Sequence, residues 1–104
     1  VLLPYPHTDL SPGKLRPCLL LANADRGDWI VCQITSNPFA DKRCILLTSN
    51  SFVRGGLVRD SYLRPTKLFT ANESLIAGTV GSLNPAMFES VRDAVVVIIR
   101  GVSP

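Results

Sequence analysis

Asn84-Pro85-Ala86-Met87-Phe88-Glu89-Ser90-Val91-Arg92-Asp93-Ala94-Val95-Val96-Val97-Ile98-Ile99-Arg100-Gly101 reads two ways, and the choice decides the fold class. The run Ala94 to Ile99 is dominated by β-branched residues, whose stiff χ1 favours strands. Yet Phe88, Val91, Val95, Ile98 and Ile99 recur at helical spacing. Asn84 is a good N-cap, Pro85 suits the first helical position, and Gly101 suits the left-handed residue beyond a C-terminus. Both ends are correctly punctuated, so the segment is read as a helix. Its second half is apolar nearly all round, which predicts burial on two sides, by the domain core and by a second subunit.

Upstream of this segment the signals are short and β-like. Val1 to Tyr5 reads as part of a strand, broken by Pro4 and Pro6, and residues of that strand are expected to precede Val1. Pro6 to Leu15 carries the Pro, Ser, Gly and Asp of a loop. Cys18 to Ala22 is a short apolar strand, Asn23 to Gly27 a turn, and Trp29 to Thr35 an alternating, half-buried strand. Ser36 to Arg43 is a second loop, Cys44 to Thr48 a strand, and Asn50 to Leu57, with Gly55-Gly56, a third loop. Tyr62 to Thr70 and Ile76 to Leu83 read as two more strands around a turn at Ala71 to Glu73. Strands this short and this often interrupted suggest a small barrel rather than a layered α/β fold.

Composition narrows the class. The chain has 104 residues, which is room for one domain, and its 46% hydrophobic content is that of a globular fold rather than a disordered one. No apolar run approaches the ~20 residues that cross a bilayer, and no secretory leader pattern is present. The net charge of +3 does not by itself establish nucleic-acid binding. Its placement says more: Lys14, Arg16, Lys42, Arg43, Arg54, Arg59, Arg64 and Lys67 all fall in or beside expected loops, where a small barrel can pool them. Scattered solubility charges explain the same list equally well. Cys18, Cys32 and Cys44 are odd in number, lie within apolar runs and lack zinc-site spacing, so reduced, buried thiols in a cytosolic protein are the expectation. With a single His and no ligand cluster, no metal is expected.

Four stretches carry a family resemblance. Leu3-Pro4-Tyr5-Pro6-His7-Thr8-Asp9-Leu10-Ser11, then Lys14-Leu15-Arg16-Pro17-Cys18-Leu19-Leu20-Leu21, resembles the opening of the MazF/PemK toxins. Its members often read Pro-Phe-Pro-Phe-Thr-Asp-Leu-Ser, then Lys-x-Arg-Pro-Ala-Leu-Val-Leu. Cys32-Gln33-Ile34-Thr35-Ser36 is similar to the strand end carrying the family's Thr-Ser pair. Ser61-Tyr62-Leu63-Arg64-Pro65-Thr66-Lys67-Leu68-Phe69-Thr70 is similar to its Ser-Val-Val-Arg-Pro-Asp-Lys-Leu-Phe-Thr block. The blocks occur in order over essentially the whole chain. The resemblance implies a mainly β fold, an SH3-like β-barrel with a C-terminal helix, as one domain over residues 1–104. It further implies a cytoplasmic homodimer, neutralisation by a cognate antitoxin, and cleavage of single-stranded RNA without metal or cofactor.

Whether these residues suit that chemistry is a separate question. Without metal, the ribose 2′-OH attacks its own phosphorus, giving a 2′,3′-cyclic phosphate and a 5′-OH. The protein must stabilise the phosphorane's extra charge, move two protons and orient the ribose. Arginine suits the first task because its fork matches phosphate oxygens and its charge is permanent. Arg16 matches the family's catalytic arginine, with Pro17 favouring an extended backbone there. Thr35 and Ser36 offer hydroxyls and N–H groups to a phosphate oxygen, although a Thr-Ser pair more commonly closes a strand. Arg64 matches an arginine that some members use in proton transfer or charge stabilisation; a sheet-surface cation is an equal alternative.

Two positions depart from the family pattern. Thr66 stands where relatives often carry Asp, a candidate base, and threonine cannot act as a base near neutral pH. His7 replaces a common Phe; its imidazole suits acid–base work, but a ring packed in a loop is the commoner role. Asp9 orients Arg16 or a ribose hydroxyl, or simply closes an Asx-turn. Lys14, Lys42 and Arg43 are candidates to follow an RNA backbone, with Tyr5 or Phe39 stacking a base. Trp29, Phe52, Phe69 and Phe88 read as core or interface residues, and the sequon Asn72-Glu73-Ser74 as chance. Two other functions fit the same fold: a protein-binding poison like the gyrase inhibitors of the CcdB type, and an RNA-binding relative with weakened catalysis.

Overall fold

Val31 and Cys32 are neighbours in the chain, both wholly buried, and belong to different hydrophobic clusters. Successive strand residues point to opposite faces, so the sheet they sit in is covered on both sides. The computed structural model describes residues 1–4, 14–39 and 41–101. These residues form seven strands: β1 (Leu2–Pro4), β2 (Leu15–Asn23), β3 (Asp28–Thr35), β4 (Ile45–Leu47), β5 (Phe52–Gly55), β6 (Ser61–Asn72) and β7 (Gly81–Leu83). One helix, α1 (Pro85–Arg100), follows them. All strand pairs are antiparallel, in a five-stranded sheet of order β1-β2-β3-β6-β4 and a ribbon of β5 with β7. A bridge from Leu2 to Gly78 ties the approach to the ribbon onto β1.

The expectation of a mainly β fold with a C-terminal helix therefore holds. Asn84 accepts from the Met87 N–H at 2.7 Å, Pro85 opens the helix, and Gly101 closes it at φ 72°. Val91 and Val95 are buried against the sheet, while Val96 and Ile99 remain 47% and 72% exposed. The apolar face of α1 is thus covered on one side by this chain and open on the other. No helix among the described residues is long and apolar enough to cross a membrane.

Three boundaries differ from the sequence reading. The expected loop Asn50 to Leu57 contains β5, which finds its partner β7 far along the chain. The expected strand Ile76 to Leu83 pairs continuously only over β7; before it come the isolated bridge at Gly78 and a bond from the Gly56 N–H to the Val80 carbonyl. The turn expected at Ala71 to Glu73 begins later, since β6 runs through Asn72 before a 3₁₀ turn at Glu73–Leu75. There the Asn72 side chain caps Ser74 N–H and donates to Asp28. The expected loop Pro6 to Leu15 lies, as far as residue 13, outside the described residues.

One irregularity shapes the site. Cys32 pairs with Leu68, but Gln33 pairs with Arg64, so Pro65, Thr66 and Lys67 form an extra bulge in β6. Pro65 fits there because it has no N–H to give a ladder, and its side chain is fully buried. Cys32, Ile34, Leu47, Leu63 and Val91 make the main core, each full burial of a Leu or Val side chain contributing about 1.5–3 kcal/mol. Leu3, Cys18, Val31 and Ala71 form the second cluster on the opposite face. All three cysteines are free; Cys18 and Cys32 are buried, whereas Cys44 is only half-buried, not enclosed as expected.

Candidate active site

Antiparallel order brings the start of β2, the end of β3 and the start of β6 to one end of the sheet. A cleft of about 390 Å³ opens there. Arg16 and Pro17 line it from β2, Thr35 and Ser36 from the end of β3, and Arg59 and Ser61 from the entry to β6. Ile34, Leu57 and Val80 supply apolar wall. Cys18 pairs with Gln33, and Arg16 and Thr35 stand two residues further along each strand. Arg16 pairs with Leu3 of β1, which holds its backbone from that side.

Thr35 accepts a hydrogen bond from the Asn37 N–H at 3.1 Å, the turn chemistry that ends β3. Its hydroxyl hydrogen remains a donor for an incoming oxygen. The Ser61 hydroxyl donates to the Arg59 carbonyl at 3.1 Å and fixes the loop that brings Arg59 to the cleft. A second cavity of about 410 Å³, walled by residues such as Leu19, Phe52 and Phe88, adjoins the first and shares Pro17, Ile34, Leu57 and Val80 with it.

Arg64 lies outside the lining of that cleft. It pairs with Gln33, one ladder step in from the Thr35–Tyr62 pair. Its Nε donates to Asp41 Oδ2 at 3.0 Å, the Thr66 hydroxyl donates to the same oxygen at 3.2 Å, and the Arg43 N–H donates to Asp41 Oδ1 at 2.8 Å. Burial pushes the Asp41 carboxyl up, but the bonds from Arg64, Arg43 and Thr66 outweigh it and hold the group below the usual carboxylate range. Cys44, near the same carboxylate, is shifted upward, first by burial.

Of the remaining candidates, Lys14 is exposed one residue before β2, and Lys42 is exposed beside Asp41. Arg43 is half-buried in the Asp41 turn, outside the cleft lining. Phe39 is 89% exposed on the loop after β3. His7, Asp9 and Tyr5 lie outside the described residues. Among those described, no three His, Cys, Asp or Glu side chains gather as a metal-holding group. Sequence reading picked no site role for Arg59, Ser61 or Asp41. Arg59 was visible only as one of several loop cations, and nothing local marks Asp41 as a partner of Arg64.

A family model described as PemK-like, MazF-like toxin of type II toxin-antitoxin system matches residues 1–99. The chain belongs to the PemK/MazF toxin family. Among curated proteins none matches this PemK/MazF toxin. A solved structure, an endoribonuclease in complex with its cognate antitoxin from Mycobacterial species, is similar to it at a TM-score of 0.65 and 12% identity. The match covers 89% of this chain and 85% of that one. At so low an identity the likeness is one of fold: the strands and helix of this chain share the arrangement of that structure.

Proposed function

We propose that this chain is a metal-independent, sequence-selective endoribonuclease toxin that cuts single-stranded RNA in the cytoplasm and is silenced by a cognate antitoxin. The observation that carries this reading is the convergence on one cleft of Arg16 from β2 with Thr35 and Ser36 at the end of β3. Family membership and the fold shared with an endoribonuclease support it.

The chemistry follows from the donors. As the 2′-oxygen bonds to phosphorus, negative charge grows on the non-bridging oxygens, and the Arg16 guanidinium stabilises it with permanent charge. Thr35 and Ser36 donate to the same oxygens and hold the scissile group in line. Arg59 adds a second cation on the cleft wall, and Arg64 a third beside it. The P–O5′ bond breaks, the 2′-OH loses a proton and the departing 5′-oxygen gains one. Lys14, Lys42 and Arg43 follow the flanking backbone, with Phe39 as a stacking surface and His7 and Asp9 as loop contacts. The adjoining apolar cavity has room for a base. The open side of α1, with Ile99 72% exposed, serves a homodimer contact.

The test uses antitoxin-free protein with mixed-sequence single-stranded RNA in EDTA, alongside Arg16→Ala and Thr35→Ala, with product ends mapped. Cleavage giving 2′,3′-cyclic phosphate and 5′-OH ends is expected, and Arg16→Ala should lose ~10²–10³-fold in rate, as for removal of one transition-state donor. Absence of cleavage by the unmutated protein overturns the enzyme reading. Undiminished cleavage by both variants overturns the assignment of the site.

A further inference from the structure

Position 66 lacks a carboxylate, yet a carboxylate stands beside it. The bulge at Pro65, Thr66 and Lys67 lifts Thr66 out of the ladder. Asp41, arriving on the loop between β3 and β4, meets both Thr66 Oγ1 (3.2 Å) and Arg64 Nε (3.0 Å) through one oxygen. The Arg64–Asp41 pair is mostly shielded, with side-chain exposures of 20% and 23%. Such shielding lets a charge-assisted bond fix a long side chain that would otherwise sample many rotamers.

We propose that Asp41 is a positioning residue for the ribonuclease reaction: its carboxylate orients the Arg64 guanidinium toward RNA bound at the cleft, replacing from a distant loop a carboxylate that position 66 does not supply. The proposal rests on the ribonuclease reading above. Asp41 is placed to orient rather than to take a proton. An acid held ionised by a neighbouring guanidinium is a weak base, and Asp41 accepts from three donors already. Orientation matters because Arg64 stands three residues into β6 from Ser61, about 10 Å along the strand, so it must reach toward the cleft.

The geometry supplies its own rescue. Asp41→Asn keeps the amide oxygen that accepts from the Arg43 N–H, and so keeps the loop, but removes the charge on Arg64. Thr66→Asp places a carboxylate where the hydroxyl now lies. Steady-state, multiple-turnover cleavage of mixed-sequence single-stranded RNA in EDTA is compared for the unmutated chain, Asp41→Asn, Thr66→Asp and the double variant. Asp41→Asn should lower kcat about 10- to 100-fold, the scale of a misplaced group, with KM nearly unchanged. Adding Thr66→Asp to Asp41→Asn should restore most of kcat, while Thr66→Asp alone should not raise it. In NMR spectra the Arg64 Nε–H should exchange slowly in the unmutated and double variants and rapidly in Asp41→Asn. Wild-type kcat in Asp41→Asn, or a folded double variant as slow as Asp41→Asn, overturns the proposal. Failure of the unmutated protein to cut RNA overturns the ribonuclease reading and this role with it, a result distinct from indifference to Asp41.

Discussion

Gly55 and Gly81 are ladder partners whose backbones pass so closely that neither position has room for a Cβ. An added Cβ at Gly55 would strike the Val80 carbonyl, and one at Gly81 the Arg54 carbonyl. Gly55 also sits at φ 64°, in the left-handed region. The close approach leads directly into Gly56, Leu57, Val58 and Arg59, which line the cleft. Gly55→Ala should therefore cost about 2–4 kcal/mol, combining left-handed strain with overpacking, and Gly81→Ala about 1–3 kcal/mol. Urea unfolding of each variant checks the order, with Gly55→Ala the worse.

Asp41 also makes stability depend on pH in a defined direction. Its native pKa lies below the ordinary value: burial raises it, but the bonds from Arg64, the Arg43 N–H and Thr66 prevail. A carboxyl depressed on folding stabilises fully above its unfolded pKa, about 4, and loses that contribution as pH falls through the native value. The unfolding free energy of the native chain should therefore exceed that of Asp41→Asn at pH 6. The gap should close progressively below pH 4. A gap that widens toward acid contradicts the assignment.

The thiols differ in kind. Burial pushes Cys32 up to about 12, and its Sγ–H donates to the Arg64 carbonyl at 3.0 Å. Since the thiolate is the nucleophile, Cys32 should resist alkylation at pH 8 in the folded protein and react once urea unfolds it. Cys44, half-buried and also shifted upward, should react ahead of Cys32. Peptide mapping after timed iodoacetamide treatment reads both rates.

What could be read from the sequence follows the range of the interactions. The helix was legible because Asn84, Pro85 and Gly101 act on backbone within a turn of themselves. β5 was hidden: Phe52-Val53-Arg54-Gly55 looks like loop until Gly81, far along the chain, supplies a backbone without a side chain for it to approach closely. Ile76 to Leu83 showed the reverse, strand-like residues of which Gly81 to Leu83 alone form a continuous ladder. Arg16, Thr35 and Ser36 were legible through short motifs, and the structure places them on one cleft. The surroundings of Arg64 were not, since Asp41 is 23 residues away and joins it only through the bulge and a loop.

That bulge sets a counting rule for the whole of β6. Leu63 and Leu68 are five positions apart, an odd number, yet both pack into the same core. An uninterrupted pleat would send one of them to solvent. The three surplus residues reverse the parity between the two halves of the strand. Deleting Thr66 alone leaves them four apart, an even spacing that a regular pleat already puts on one face, and should leave the protein folded. Deleting Thr66 and Lys67 together leaves them three apart, an odd spacing that again needs a bulge to keep both in the core, and should cost more stability. Circular dichroism of the two deletion variants distinguishes them, and an insertion at this point is bound by the same arithmetic.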